Sequence, residues 1–209
     1  MGTCYQYEGY RTLPGLLRCF FEELFYYQIG ESMDAVEDKR NIVDEFKGLS
    51  VENIRDILQE RRNPFASLIL NIEYDINIAS VVRNHNAFCG QEIFYIGRKK
   101  FNRRGCVGTY LYENITYFET LENALEKIPQ DYTWVGIDNI PGAISMPEYK
   151  WPEKALLVFG HERGGLGYIP ELASYCKDVV YIPQTGSVRS LNVACASAVA
   201  MYDFVSKGT

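Results

Sequence analysis

Two glycine-containing loops follow apolar runs in the C-terminal half of the chain, and their residue types suit ligand binding. The first, VFGHERGGLG, covers residues 158–167 and combines four glycines with a histidine, a glutamate and an arginine. The second, IPQTGSVRSLN, covers residues 182–192 and opens a helix of small residues. Glycine tolerates positive φ and lets backbone N–H and C=O groups approach a ligand closely. Together the two loops and the helix predict a shared pocket.

Neither loop matches the common nucleotide-binding motifs. The glycines of the first loop, at positions 160, 164, 165 and 167, do not form G-x-G-x-x-G, and no Gly-Lys-Ser/Thr follows them. The chain's six cysteines include no C-x-x-C pair, and only two histidines are present to help them hold a metal. We therefore predict reduced thiols and no metal site.

The elements that must position these loops alternate between strand and helix patterns from about residue 66. Because the strand runs are almost continuously apolar, they indicate a parallel sheet covered on both faces, and hence an α/β fold. Ligands bind such sheets beyond the carboxyl ends of the strands, where both loops fall. Ser190 is the predicted N-cap of the last helix. The predicted strands are SLILNI, EIFYIG, TWVGID, ALLVFG and DVVYIP, and the predicted helices are INIASVVRNHNAF, TLENALEKI, YIPELASYC and SLNVACASAVAMYDFV.

The first 60 residues differ in kind from the rest. They carry 6 Lys+Arg against 12 Asp+Glu, whereas residues 61–209 carry 15 of each. Helical spacing occurs in LPGLLRCFFEELFYYQIG, AVEDKRNIVDEF and SVENIRDILQERR, the last with Ser50 as N-cap and a stop at Asn63-Pro64. We predict an acidic helical extension over residues 1–65 and a separate domain over residues 66–209. Neither a signal peptide nor a membrane span is evident, so a cytoplasmic protein is expected.

One segment of the second region is strongly basic. GRKKFNRRG places five cations around Phe101, a pattern typical of a phosphate-contacting patch with a stacking ring, but also of a solvated loop. The sequence pI of about 5.1 argues against a protein that coats nucleic acid non-specifically, while allowing a local basic site.

Three segments resemble, in order and spacing, the motifs of a known family. NIEYDINIASVVRNHNAFCG, ALLVFGHERGGLG and VVYIPQTGSVRSLNVACASAVAMYDFV are similar to the three motifs of the SPOUT superfamily, in its SpoU or TrmH branch of RNA ribose 2′-O-methyltransferases. The resemblance covers roughly residues 66–206. It implies an α/β-knot fold with a deep C-terminal trefoil knot, whose loops bind S-adenosylmethionine. It also implies a homodimer, since in this branch the catalytic arginine comes from one subunit and the cofactor is bound by the other.

The resemblance assigns roles residue by residue. Asn77 and Arg83 match the motif-one asparagine and catalytic arginine, Glu162 matches the motif-two acid, and Ser190 and Asn192 match the motif-three pair. The implied cofactor-binding residues are Phe159, Gly160, His161, Gly164, Gly165, Ile182, Gln184, Ser190, Leu191 and Val193. The basic residues that would face RNA are Arg61, Arg62, Arg98, Lys99, Lys100, Arg103 and Arg104.

The chemistry implied is attack of a ribose 2′-oxygen on a sulfonium methyl group. A guanidinium stays protonated near pH 7, so we expect Arg83 to pair with a phosphate and stabilise the developing alkoxide rather than act as a base. The sequence departs from the family at Cys89, which separates Phe88 from Gly90, and at Gln184, where methionine is frequent. His161 and His85 are expected to fill structural roles.

Three functions remain open from the sequence. The first is an RNA 2′-O-methyltransferase, with transfer RNA favoured over ribosomal RNA. The second is a non-catalytic RNA-binding or assembly protein on the same fold. The third is an unrelated α/β enzyme acting on a small nucleotide, which would bind a nucleotide without binding S-adenosylmethionine.

Overall fold

The computed structural model describes residues 38–70 and 75–208, and the chain from Arg40 onward forms one compact unit. Its centre is a seven-stranded sheet in which every pairing is parallel, with the order β3-β2-β1-β6-β4-β7-β5. The predicted α/β class is confirmed. The strands are β1 Phe65–Ile69, β2 Ile93–Ile96, β3 Ile115–Phe118, β4 Thr133–Ile137, β5 Ile144–Ser145, β6 Ala155–Phe159 and β7 Asp178–Tyr181.

Five of these strands were predicted, and β3 and β5 were not. Both are edge strands: Phe118 is the only buried residue of β3, and β5 is two residues long. Neither therefore has the continuous apolar run that marks a central strand. By contrast, every residue of β1 and of β6, the paired strands in the middle of the sheet, is buried.

The helices are α1 Val51–Glu60, α2 Asp75–Ala87, α3 Leu121–Lys127, α4 Leu172–Tyr175 and α5 Val193–Lys207. In α1 the Ser50 hydroxyl accepts a hydrogen bond from the Asn53 backbone N–H at 3.1 Å, so the predicted N-cap is confirmed. The helix ends before Asn63-Pro64, as expected. No helix in the described part of the chain is long and apolar enough to span a bilayer.

Two helix predictions need correction, and a third falls outside the described residues. In AVEDKRNIVDEF the described part, from Asp38, contains only the 3₁₀ turn Asp44–Phe46, which includes the buried Phe46. In YIPELASYC the helix is confined to α4, since Pro170 lacks an N–H and disfavours helix before it. The predicted helix LPGLLRCFFEELFYYQIG lies outside the described residues.

The last helix begins two residues later than predicted. Its N-cap is Asn192, whose side-chain oxygen accepts from the Ala194 N–H at 2.9 Å, and not Ser190, which is exposed in the preceding loop. An asparagine serves as well as a serine at this position, and residue types alone do not choose between them.

Close packing of α5 on α2 places the motif-one helix beside the second glycine loop. Asn84 of α2 donates from its amide to the Ala194 carbonyl at 2.7 Å and contacts the Ser197 hydroxyl at 3.0 Å. Small side chains on α5 permit this approach of an amide to the helix backbone. Helices α2 and α5 cover one face of the sheet, and α3 and α4 pack against the opposite face.

Candidate active site

The carboxyl ends of β4, β6 and β7 surround a cavity of ≈ 540 Å³. Its walls come from three segments, residues 137–140, 159–165 and 182–193, together with Ala196 of α5. A volume of this size is typical of small-molecule sites. Every residue that the sequence assigned to cofactor binding lines this one cavity, as do Glu162 and Asn192.

The first glycine loop closes on itself, and two of its glycines are needed for that closure. His161 and Gly165 exchange backbone hydrogen bonds of 3.0 and 2.7 Å. Gly165 has φ +56°, and a Cβ atom there would lie 2.2 Å from an Asp138 carboxylate oxygen. A Cβ atom on Gly160 would lie 2.3 Å from the Gly165 carbonyl carbon. The geometry of the loop itself therefore requires glycine at both positions.

Asp138 is a site residue that the sequence analysis missed. It follows β4, and its carboxylate accepts from the Leu166 N–H at 2.8 Å and from the Asn139 N–H at 2.7 Å. It thereby ties the end of β4 to the glycine loop after β6. The available signal was an aspartate at the end of the predicted strand TWVGID, at the sheet edge where the two loops were already expected.

Residues of all three motifs meet in one hydrogen-bonded cluster. The Asn77 amide of α2 donates to the Glu162 carboxylate at 2.8 Å, and its oxygen accepts from the Asn192 amide at 3.0 Å. Asn192 in turn caps α5 through Ala194. We call these three side chains the motif cluster. It couples the start of α2 to both cavity loops, across sequence separations of 85 and 115 residues.

His161 has a structural role in the loop. Its ring stacks on Tyr168 with centroids 3.9 Å apart and planes 10° from parallel, and it is 7% exposed. Its Nδ1 accepts from the Arg163 backbone N–H at 3.2 Å, which places the ring proton of the neutral form on Nε2. The expectation of a structural role is thus supported, although the residue also forms part of the cavity wall.

Arg83 does not belong to this cavity. It is exposed on α2, six residues after Asn77, and is not among the residues that line the cavity. Six residues on an α-helix correspond to about 600° of rotation, so the two side chains point in different directions. Within one chain, the structure joins Asn77, Glu162 and Asn192 and leaves Arg83 outside.

The predicted RNA contact at Arg62 is wrong. Its side chain is 3% exposed and donates to the Glu113 carboxylate at 2.5 Å, to the Gly90 carbonyl at 2.6 Å and to the Tyr112 carbonyl at 2.9 Å. A guanidinium held in this way cannot reach an RNA phosphate. Its neighbour Arg61 is exposed and pairs with Glu45 at 2.9 Å.

His85 lies beside the Arg62–Glu113 pair and is fully buried. Its Nδ1 lies 2.9 Å from the Ser67 hydroxyl, and its Nε2 lies 4.0 Å from the Glu113 carboxylate. Burial, reinforced by the Arg62 charge, lowers the pKa of His85 to about 3, so the ring is neutral. We call Arg62, Glu113, His85 and Ser67, together with Asn86, which donates to Glu113 at 2.7 Å, the sealed cluster.

The five cations of the basic loop, by contrast, are all exposed. They are Arg98, Lys99, Lys100, Arg103 and Arg104. The aromatic residue among them is not free to stack on all sides, because Phe101 packs edge-on against Tyr95 with ring centroids 5.8 Å apart.

The cavity fits a polar cofactor, whereas the described residues offer no metal site. The Gln184 side-chain oxygen is buried in the cavity wall without a hydrogen-bond partner among the residues that the structure describes. A buried acceptor of this kind is costly unless a ligand or a water molecule satisfies it. No group of three or more His, Cys, Asp or Glu side chains arranged to hold a metal occurs in the same part of the chain.

Comparison with known proteins defines the class of this site. The model of the SpoU rRNA methylase family matches residues 65–202, which is most of the chain. The chain therefore belongs to the SpoU rRNA methylase family.

Individual relatives add detail. A tRNA (guanosine(18)-2′-O)-methyltransferase of Aquifex aeolicus is 22% identical over 165 residues, covering 73% of this chain and 74% of that protein. Mouse TARBP1, named with the same activity, is 36% identical over 80 residues, which are 38% of this chain but only 5% of the mouse protein. The SpoU methyltransferase AviRb from Streptomyces viridochromogenes, solved in complex with the cofactor AdoMet, shares the fold with a TM-score of 0.63 at 22% identity, covering 69% of this chain and 58% of AviRb.

Proposed function

We propose that this protein transfers a methyl group from S-adenosylmethionine to a ribose 2′-hydroxyl of RNA. The observation that carries the proposal is the motif cluster, which joins residues of three separate segments at the wall of a cofactor-sized cavity. Membership of the SpoU family supports it, as do the names of the two relatives. Both of these names specify transfer RNA, whereas the family name specifies ribosomal RNA. We propose transfer RNA as the substrate because the Aquifex relative, which is matched over 73% of this chain, is named for it.

The cavity residues would hold the cofactor between the two glycine loops. When bound, S-adenosylmethionine supplies an electrophilic methyl group on a sulfonium. The chain contributes backbone groups of the loops, apolar wall from Ile182 and Leu191, and the unsatisfied Gln184 oxygen as an acceptor. The motif cluster holds both loops in place, and Asp138 fixes the backbone of the first.

Arg83 would act on the RNA rather than on the cofactor. Its guanidinium is a permanent cation suited to a phosphate, and there it stabilises negative charge as it develops on the 2′-oxygen. The proton leaves to the phosphate or to water. Because Arg83 lies outside the cavity of its own chain, we propose a homodimer in which each cavity receives Arg83 from the other subunit. As the sequence predicts, we also propose that the C-terminal segment forms a trefoil knot and that the protein is cytoplasmic.

Methyl transfer to total RNA tests the reaction. Native protein and Arg83→Ala are compared with labelled S-adenosylmethionine, and the RNA product is digested for nucleoside analysis. We expect a 2′-O-methyl nucleoside with the native protein and a loss of about 10²-fold or more with Arg83→Ala. Calorimetry provides the control, since Arg83→Ala should bind S-adenosylmethionine as the native protein does. Cofactor binding without label in any RNA would instead favour a non-catalytic RNA-binding protein.

Subunit complementation tests the shared site. Arg83→Ala and Glu162→Ala chains are each expected to be nearly inactive alone. When they are co-expressed, a mixed dimer has one site with an intact cavity and an intact arginine, so activity should return to roughly a quarter of native. If the mixture stays as inactive as its components, although both chains assemble together, Arg83 serves the cavity of its own chain.

A further inference from the structure

A second cavity of ≈ 480 Å³ lies at the β2–β3 side of the sheet, apart from the cofactor cavity. Four aromatic rings line it: Tyr95 of β2, Tyr117 of β3, Phe101 of the basic loop and Tyr110 of the 3₁₀ turn Thr109–Leu111. Tyr95 and Tyr117 are partners in the parallel register, so their rings point to the same face, with centroids 5.2 Å apart. Tyr117, Phe101 and Tyr110 are only partly buried, so aromatic surface is open to the cavity.

The cavity also carries positive charge. Arg103 lies over the Tyr110 ring, with its guanidinium carbon 4.6 Å from the ring centroid, and Arg55 of α1 reaches the rim through a 3.1 Å bond to Asn114. The negative charge of Glu113, the acidic residue in the lining, is balanced by its ion pair with Arg62. The Tyr95 hydroxyl donates to the Lys99 carbonyl at 2.6 Å. This hydrogen bond holds the basic loop, with its exposed cations, next to the aromatic side of the cavity.

Rings and cations in this arrangement match the chemistry of a nucleotide in an unpaired strand. Bases stack on aromatic side chains, and guanidinium groups bind phosphates. An unpaired base exposes its faces, whereas a base within a duplex does not. The exposed cations beyond the cavity suit further phosphates of a strand, which a free nucleotide does not have. An acidic peptide would use the charge and leave the rings without a stacking partner.

We propose that this cavity binds a nucleotide of single-stranded RNA, with the base against the Tyr117 and Tyr110 rings and the backbone phosphate against Arg103 and Arg55. The inference rests on the proposed function in taking RNA as the substrate. It also relates the two sites, because α2, which carries Arg83, packs against the 3₁₀ turn Arg103–Cys106. The subunit that presents Arg83 to a reacting ribose would therefore also hold the RNA at a second nucleotide.

Binding of a short, fluorescently labelled single-stranded RNA oligonucleotide, measured by anisotropy at several salt concentrations, tests the inference without requiring catalysis. Tyr117→Ala should weaken binding by about tenfold, and Tyr117→Phe, which keeps the ring, should bind as the native protein does. Arg103→Ala should weaken binding and reduce the slope of log K against log salt by about 1. The matched controls are Tyr175→Ala and Lys177→Ala, which change an exposed ring and an exposed cation near β7 and should leave RNA binding unchanged.

A second readout covers the case in which a variant fails to fold. Native protein is cross-linked to an oligonucleotide containing 4-thiouridine, and the modified peptide is mapped by mass spectrometry. Cross-links at Tyr110 or Tyr117 support the inference, and cross-links confined to other segments overturn it. Displacement of the oligonucleotide by a mononucleotide or an acidic peptide with equal affinity also overturns it, as does a native protein that binds no RNA.

The two proposals fail in different ways. If Tyr117→Ala loses RNA affinity while the native protein transfers no methyl group, the RNA site stands and the proposed reaction falls. If the native protein methylates RNA while Tyr117→Ala and Arg103→Ala bind RNA like the native protein, the reaction stands and the RNA site falls. In every variant, calorimetric affinity for S-adenosylmethionine should match that of the native protein, because the second cavity shares no lining residue with the first.

Discussion

The motif cluster and the sealed cluster both join polar side chains from distant parts of the chain, but they differ in their access to solvent. Glu162 and Asn192 line the wall of an open cavity, and Asn192 is exposed, while Asn77 is their buried partner. In the sealed cluster the Arg62 side chain is 3% exposed, and those of Glu113 and His85 are 0% exposed. Buried charges must be satisfied by the fold itself, whereas groups at a cavity wall remain available to a ligand. The comparison teaches that charge alone does not indicate function.

The largest expected effect is on the sealed cluster. Glu113→Ala leaves the Arg62 guanidinium buried without its carboxylate, and we expect a loss of about 3–5 kcal/mol in the free energy of unfolding, measured by urea denaturation. Glu119→Ala, which removes an exposed glutamate a few residues away, is the matched control and should change little.

A double replacement sharpens this prediction. Arg62→Met combined with Glu113→Leu removes both charges at once and should recover most of the stability lost in Glu113→Ala. If Glu113→Ala proved as stable as Glu119→Ala, the sealed cluster would not stabilise the fold, and RNA binding by Arg62 would have to be reconsidered.

The next effect concerns the cavity. Gly165→Ala places a Cβ atom 2.2 Å from the Asp138 carboxylate at a backbone φ of +56°. We expect a loss of roughly 1–3 kcal/mol in stability and a large loss of S-adenosylmethionine affinity, measured by calorimetry. Gly167→Ala is the control in the same loop, because a Cβ atom there meets nothing within 4 Å. Equal cofactor affinity in the two variants would contradict the importance assigned to the loop shape.

The pH dependence of stability reports on the sealed cluster. His85 is neutral in the folded protein down to a pKa of about 3, while in the unfolded chain it titrates near its ordinary value of 6.5. The unfolded state therefore binds a proton first, and stability falls as the pH drops from about 6.5 towards 3. From pH 7 to pH 5 this amounts to about 2 kcal/mol. In His85→Asn this loss should be absent, so the free energy of unfolding measured by denaturation should change less between pH 7 and pH 5 than it does in the native protein.

The smallest expected effect separates the two roles of Asn192. Asn192→Ala removes both the N-cap bond to Ala194 and the donor to Asn77. It should lower the free energy of unfolding by about 1 kcal/mol and should also reduce methyl transfer. Asn192→Asp keeps the cap acceptor and loses the donor, so we expect near-native stability in denaturation with reduced methyl transfer. Ser190→Ala should not change stability, since Ser190 does not cap the helix. A stability loss in Ser190→Ala would contradict that assignment.

Much of the fold was predictable because burial imposes a visible pattern. The five strands with continuous apolar runs were found, and the edge strands β3 and β5 were not, since a strand covered on fewer sides has no such run. The loops after β6 and β7 were placed at one site because carboxyl ends of parallel strands share an edge. Asp138 was missed because a single acidic residue after a strand has no pattern of its own.

By itself, the sequence determined the α/β class, the position of both glycine loops and, through the family motifs, the identities of Asn77, Glu162 and Asn192. Only the tertiary structure decided that these three side chains bond to one another and that Arg62 is buried. The physical reason is that periodicity and residue type report the local backbone and average burial. Which charge meets which partner depends on contacts between residues far apart in the chain.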